Sequence, residues 1–399
     1  MNRLLESWNS LNPLLKGALF YLGFFGGMGM FLPFINVYWR QEFGFSGRQI
    51  GLLSLVRPLM AVVFAIPVAS FADRRQWRIP ILMSTLIGTG LVFVFAGYLY
   101  TFTAWMIGVL LMAIVMSPTM PLADSLIARM SLRHHLNYGT MRLYGSVGFA
   151  FTAIAGGALW EQIGFKAMFF ITGMVFLPVF FFASKLEEGA SDPEQQEQPS
   201  FWAIMQDRGL IVLVIASFFM GAALNISIIF DGIYMKFLGG TEVFVGLMFG
   251  LTALCELPAM HYRDRLAERL GGLPTLLLAY SIFTMTFLGY ILVSQPWMLL
   301  CMAIFKGLGF GLCWVSTIQL SSERAPSNWA STVQSVISAS FFGIAPLMAS
   351  PLGGEIYDHF GPRSVFLCAS LLVGGAVVVL SVAIAKRVFT TGRTAPAVG

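Results

Sequence analysis

The sequence predicts an all-α membrane protein of twelve transmembrane helices packed as two six-helix bundles. Its composition is the first reason: 57% of the 399 residues are hydrophobic and 11% are charged, against roughly 25% charged in an ordinary soluble domain. A soluble fold cannot hide that much apolar surface, whereas a bilayer removes the need. The second reason is the regular return of apolar runs of about 20 residues, the length needed to cross the hydrocarbon core. The third is that the two halves of the chain repeat one another.

The runs lie near 17–39, 46–71, 79–100, 104–127, 140–160, 165–184, 210–237, 243–262, 273–294, 297–320, 328–352 and 363–385. The first is too long for a signal peptide, lacks a small-residue cleavage site and is followed by eleven more. One polar stretch interrupts the series, after the sixth run. Glu187, Glu188, Asp192, Glu194 and Glu197 crowd it with Pro193 and Pro199, a composition that buries no core. The expected organisation is therefore a first bundle over 1–184, a cytoplasmic linker over 185–209 and a second bundle over 210–399. Sixteen Lys and Arg, Arg3, Arg129 and Arg393 among them, fall on the side holding both termini, against five on the other. That bias places the termini and the linker in the cytoplasm and the protein in the plasma (inner) membrane. The four cysteines, Cys255, Cys301, Cys313 and Cys368, sit in apolar runs without CxxC spacing and read as free thiols.

The repeat is explicit. Residues 156–170 read GGALWEQIGFKAMFF and residues 353–367 read GGEIYDHFGPRSVFL, an offset of 197. A second echo places Asp73-Arg74 against Glu268-Arg269 at an offset of 195. Both copies run in the same sense, as in transporters whose halves are parallel repeats.

Here the residues acquire a likeness. Asp73, Arg74 and Arg78 match part of the major facilitator signature G-x-L-A-D-R-x-G-R-K, although Ala69 and Gln76 replace its glycines. The segment 121–149, PLADSLIARMSLRHHLNYGTMRLYGSVGF, resembles the phenylpropionate permease group, which is related to lactose permease. The likeness implies a small-molecule transporter working as a monomer by alternating access. It also implies a gating role at the cytoplasmic end for Asp73, Arg74, Arg78, Glu268 and Arg269.

Six ionisable residues lie inside the spans: Arg57, Asp124, Arg142, Asp231, Glu256 and Lys306. Each would cost roughly 2.5–3.5 kcal/mol if left bare at mid-bilayer, so they must pair or line an aqueous cavity. Asp124 and Arg142 are nine residues either side of Arg133 in a helical hairpin, which sets them at one depth on neighbouring helices. Lactose permease has an acid and an arginine at the matching positions, where they bind substrate. Asp231 and Lys306 differ in depth by about 5 Å and can pair; the relative has Asp and Lys there in a mainly structural role. Glu256 precedes Pro258, which releases a backbone hydrogen bond and can bend the helix toward a cavity. Arg57, about 16 Å into the second span, also precedes a proline and is free to receive a substrate carboxylate or to balance Glu256. Phe149 stands where the relative has a sugar-stacking Trp. Trp314, with Phe310 one turn earlier, offers a ring-stacking surface or simple packing.

All four histidines lie in loops or at span ends, so a coupling proton must sit on a carboxylate. Burial favours the neutral form of a carboxyl group, which makes Glu256 and Asp124 the candidates. The expected activity is proton-coupled symport of a small organic solute, an aromatic carboxylate or a sugar, with no cofactor beyond protons. An efflux antiporter or a proton-independent facilitator is the alternative. No phosphate loop, metal-spaced cluster or nucleophile elbow supports an enzyme, and the dispersed positive charge forms no nucleic-acid patch.

Overall fold

A computed structural model of the chain describes residues 12–187, 207–325, 329–386 and 388–389. Arg3, Arg393 and most of the expected linker, residues 188–206, lie outside the described residues. The described chain forms twelve helical spans: α1 (Pro13–Phe43), α2 (Gly47–Arg75), α3 (Arg78–Ala96), α4 (Phe102–Arg133), α5 (Tyr138–Ile163), α6 (Lys166–Ala183), α7 (Arg208–Phe237), α8 (Glu242–Leu270), α9 (Gly272–Leu292), α10 (Pro296–Arg324), α11 (Thr332–Phe360) and α12 (Pro362–Ala385). No strand occurs among the described residues.

Each run folds as a helix because, in hydrocarbon, a helix alone satisfies every backbone group within its own segment. Side chains close the ends. Ser46 and Gln49 form a reciprocal capping box at α2, and Asn12, Thr101, Asn137 and Asp207 cap α1, α4, α5 and α7. Proline marks the interruptions. The helix of α1 breaks at Phe31 and resumes at Ile35, around Pro33, and α4 breaks between Met116 and Thr119, at Pro118. Two spans carry a π-helical turn, Ala61–Ala65 in α2 and Ala339–Ile344 in α11.

Several spans outrun their apolar runs at the end of the bundle near the termini. The fourth was expected to stop at 127 and reaches Arg133, and the eighth was expected to stop at 262 and reaches Leu270. The physical reason is amphipathic continuation: Arg129, Arg133, Asp264 and Arg265 give those last turns a polar face after hydropathy has fallen.

The first residues of paired spans lie 194–196 positions apart, from Pro13 and Arg208 through Lys166 and Pro362. Within the first half α1 packs on α5 and α6, and α3 on α6; within the second α7 packs on α11 and α12, and α8 on α10. The halves meet through α2 with α11, α5 with α8, and α1 with α7. These seams are glycine-lined at the end far from the termini. A methyl added to Gly246 would sit 2.3 Å from the Ala153 carbonyl oxygen, and one on Gly51 2.3 Å from that of Ser350. Small residues of this kind let helices approach backbone to backbone. At the terminus end the ion pairs stay within a half. Glu187 gathers Lys16, Arg133 and His134, and Arg324 holds Asp207.

Candidate substrate and proton site

Asp124 sits on the second half of α4, beyond the Pro118 break, and is partly buried. Its carboxylate Oδ1 accepts hydrogen bonds from the Tyr21 hydroxyl of α1 at 2.6 Å and the Tyr138 hydroxyl of α5 at 3.1 Å. The two hydroxyl oxygens are 3.0 Å apart. Arg142, one turn beyond Tyr138 on α5, lies at the expected place but forms no ion pair among the described residues. Its guanidinium carbon lies 4.1 Å from the Phe25 ring centroid and 5.3 Å from that of Tyr21. A guanidinium over aromatic faces is stabilised as a cation while its donors stay available.

Ser146 follows Arg142 by one further turn, and its hydroxyl donates to Glu256 Oε1 of α8 at 3.0 Å. This bond crosses from one half to the other. Tyr138, Arg142 and Ser146 therefore form an i, i+4 ladder on one face of α5, with Asp124 at its first rung and Glu256 at its last. Arg57 stands apart from that ladder. It is exposed on α2, its carbonyl accepts from Ala61 at the mouth of the π turn, and its guanidinium has no hydrogen bond or ion pair among the described residues. It does not balance Glu256. Phe149 is half-buried near the same face without a ring partner among the described residues.

Asp231 of α7 and Lys306 of α10 are joined directly, and both side chains are almost wholly buried. Ser227 completes the group: it donates to Asp231 Oδ1 at 2.9 Å and accepts from Lys306 Nζ at 2.8 Å. Trp314 does not pair with Phe310. Its ring meets Phe341 and Phe342 of the α11 π turn, at 5.3 and 4.9 Å between centroids, so the aromatic surface expected of α10 is shared with α11.

The terminus-end residues behave unequally. Arg78, fully buried at the start of α3, pairs with Asp73 at the end of α2, while Arg74 is exposed. Glu268 and Arg269 are exposed without a partner among the described residues. The buried arginine of the second half is instead Arg263, which bonds Ser316, Gln319 and Asp264.

Sequence reading missed Tyr21, Phe25 and Ser146. Tyr21 and Phe25 look like ordinary apolar-helix residues, but Ser146 could have been found from its i+4 spacing to Arg142.

Twelve spans in two parallel repeats, with the Ser146–Glu256 bond across the junction of the halves, define a multi-pass membrane protein, and its family and relatives make it a membrane transporter of small molecules. The MFS_1 like family model matches residues 14–368, and the chain belongs to that family. It is 27% identical over 378 residues to the maltose permease of Geobacillus stearothermophilus, covering 94% of this chain and 95% of that protein. It is 23% identical to the "Probable 3-phenylpropionic acid transporter" of Escherichia coli (strain K12), covering 89% and 94%. The crystal structure of the nucleoside transporter NupG superposes with a TM-score of 0.79 at 15% identity, covering 94% of this chain and 99% of that one. This last likeness speaks for the fold alone.

Proposed function

We propose that the chain is a proton-coupled symporter that binds a small organic acid between its halves and imports it by alternating access. The observation that carries this reading is the Ser146–Glu256 hydrogen bond, a polar link between α5 and α8 one turn from Arg142. A solute held by Arg142 and reaching Glu256 touches both repeats, so its binding energy can bias their relative motion. The proton is assigned to Glu256. Asp124 accepts two hydroxyl bonds that stabilise its charge, whereas Glu256 accepts one, so losing charge costs Glu256 less. Arg142 supports an acidic substrate, since its guanidinium lies over the Phe25 and Tyr21 rings and forms no ion pair among the described residues. With the termini in the cytoplasm, as the Lys and Arg bias favours, the glycine seams lie at the outer face.

A sugar is the second reading, favoured by the likeness to a maltose permease over nearly the whole of both chains. Uptake into proteoliposomes, with and without an inward proton gradient, separates the readings. Arylpropionates should accumulate and be driven by the gradient. Gradient-driven maltose uptake with no arylpropionate uptake would select the sugar, and gradient-independent equilibration of either would remove the coupling.

A further inference from the structure

The repeated segments at 156–170 and 353–367 end α5 and α11, and neither was explained by the substrate site. In both, the second glycine and the acid lie four residues apart, Gly157 with Glu161 and Gly354 with Asp358, hence one turn apart on one helix face. In both, that face meets the first turn of a helix from the opposite half. A methyl on Gly354 would lie 2.4 Å from the Gly47 carbonyl oxygen, and one on Gly157 2.5 Å from that of Glu242. The acids then reach the bare N–H groups of those turns. Asp358 accepts from Gly47 at 2.6 Å and Arg48 at 2.8 Å, and Glu161 accepts from Val243 at 3.2 Å. At α2 the accounting is complete: Ser46 takes the N–H groups of Gln49 and Ile50 from its own half, and Asp358 takes the two before them from the other. Arg48 and Glu355 add an exposed ion pair across the same seam at 3.1 Å.

The first turn of a helix carries positive partial charge and unpaired donors. A carboxylate brought there from the opposite half is therefore a reversible fastening, lost as soon as the halves separate at that end. We propose that Glu161 and Asp358 are positioning residues for alternation: two latches, related by the repeat, that hold the far-end gate shut. This stands apart from the substrate and proton reading, and its test needs neither.

The test is amide hydrogen exchange on the full chain in lipid nanodiscs, read at residues 47–50 and 242–245. Asp358→Ala should speed exchange about fivefold to tenfold at 47–50, where it acts, and also at 242–245, which it does not touch. Glu161→Ala should show the reciprocal pattern, and the double variant the largest effect. The effect on the untouched helix is what separates a shared gate from two local caps. Acceleration confined to each variant's own helix, or none at either, would overturn the proposal. Should Asp358→Ala not fold, the Glu161→Ala measurement at 47–50 decides alone.

Discussion

The core of the second half and the seam between the halves treat their membrane-embedded charges in opposite ways. In the second half Asp231, Lys306 and Ser227 satisfy one another inside a sealed core, and nothing remains for a ligand to complete. At the seam between the halves, Asp124 is held by neutral hydroxyls, Arg142 by ring faces, Glu256 by one serine, and Arg57 by no described partner. The contrast separates a charge kept for architecture from one kept for work. The first has its partner built in, and the second has only partners that leave its charge unmatched.

The largest effect that would break this comparison is at Glu256. Glu256→Gln should abolish accumulation driven by a proton gradient while leaving substrate exchange between equal pools. Normal gradient-driven accumulation would remove Glu256 as the coupling group. Next come the sealed residues. Asp231→Asn or Lys306→Ala alone strands a buried charge, which costs about 3–5 kcal/mol; folded yield and melting should fall accordingly. The double neutral variant should recover most of the loss, and a double no better than the worse single would refute mutual neutralisation. Double neutralisation of Asp124 and Arg142 should give no such recovery of transport, because those groups do not pair with each other.

Smaller changes sharpen the same line. Arg142→Lys should weaken substrate binding by roughly tenfold to a hundredfold, since lysine lacks the planar fork of guanidinium; unchanged affinity would place the substrate elsewhere. Tyr138→Phe removes one of two hydroxyl donors to Asp124 and should cost about fivefold in affinity, measured by the same binding titration. The smallest effect is outside the membrane. The hydrogen bond from His134, against a weaker opposing effect of burial, holds Glu187 below the usual glutamate range. A folded-state carboxyl with a lowered pKa stabilises the fold above its unfolded value and loses that contribution as pH falls through the lowered one. Melting of the parent relative to Glu187→Gln should therefore converge only below the ordinary glutamate range, and a constant difference down to that pH would exclude the contribution.

Much of the fold was legible because hydrocarbon imposes one rule on every span. The starts of the helices follow from hydropathy; their polar ends do not, since Arg129 or Asp264 in a last turn reads as loop until helix periodicity is considered. The Asp231–Lys306 pair was legible from depth together with the likeness to lactose permease, because a buried charge has few ways to be satisfied. Around Asp124 and Arg142 the partners were hidden. Tyr21 and Phe25 carry no signal in a helix already rich in aromatic residues, and a ring face is not visible in a charge count. The echo at Glu268 and Arg269 falls on exposed side chains at the end of α8, while the buried arginine there, Arg263, lies about one and a half turns earlier and carries no echo of its own.

The π turn in α2 has a consequence for how that span is indexed. A turn closed by i→i+5 bonds spends one residue more than an α turn, and each residue of an α-helix advances the face by about 100°. Everything beyond Ala65, including Asp73, is thus rotated by about that angle relative to Arg57 from where an unbroken helix would put it. The turn acts as a phase shifter between the arginine at mid-membrane and the ion pair with Arg78 at the helix end. Deleting one residue from 61–65 would leave an unbroken α-helix whose last turns keep their present direction, because the deletion removes the same angle that the turn absorbs. Straightening the turn with every residue kept would instead swing Asp73 by about 100° and cost α2 its register with Arg78 on α3.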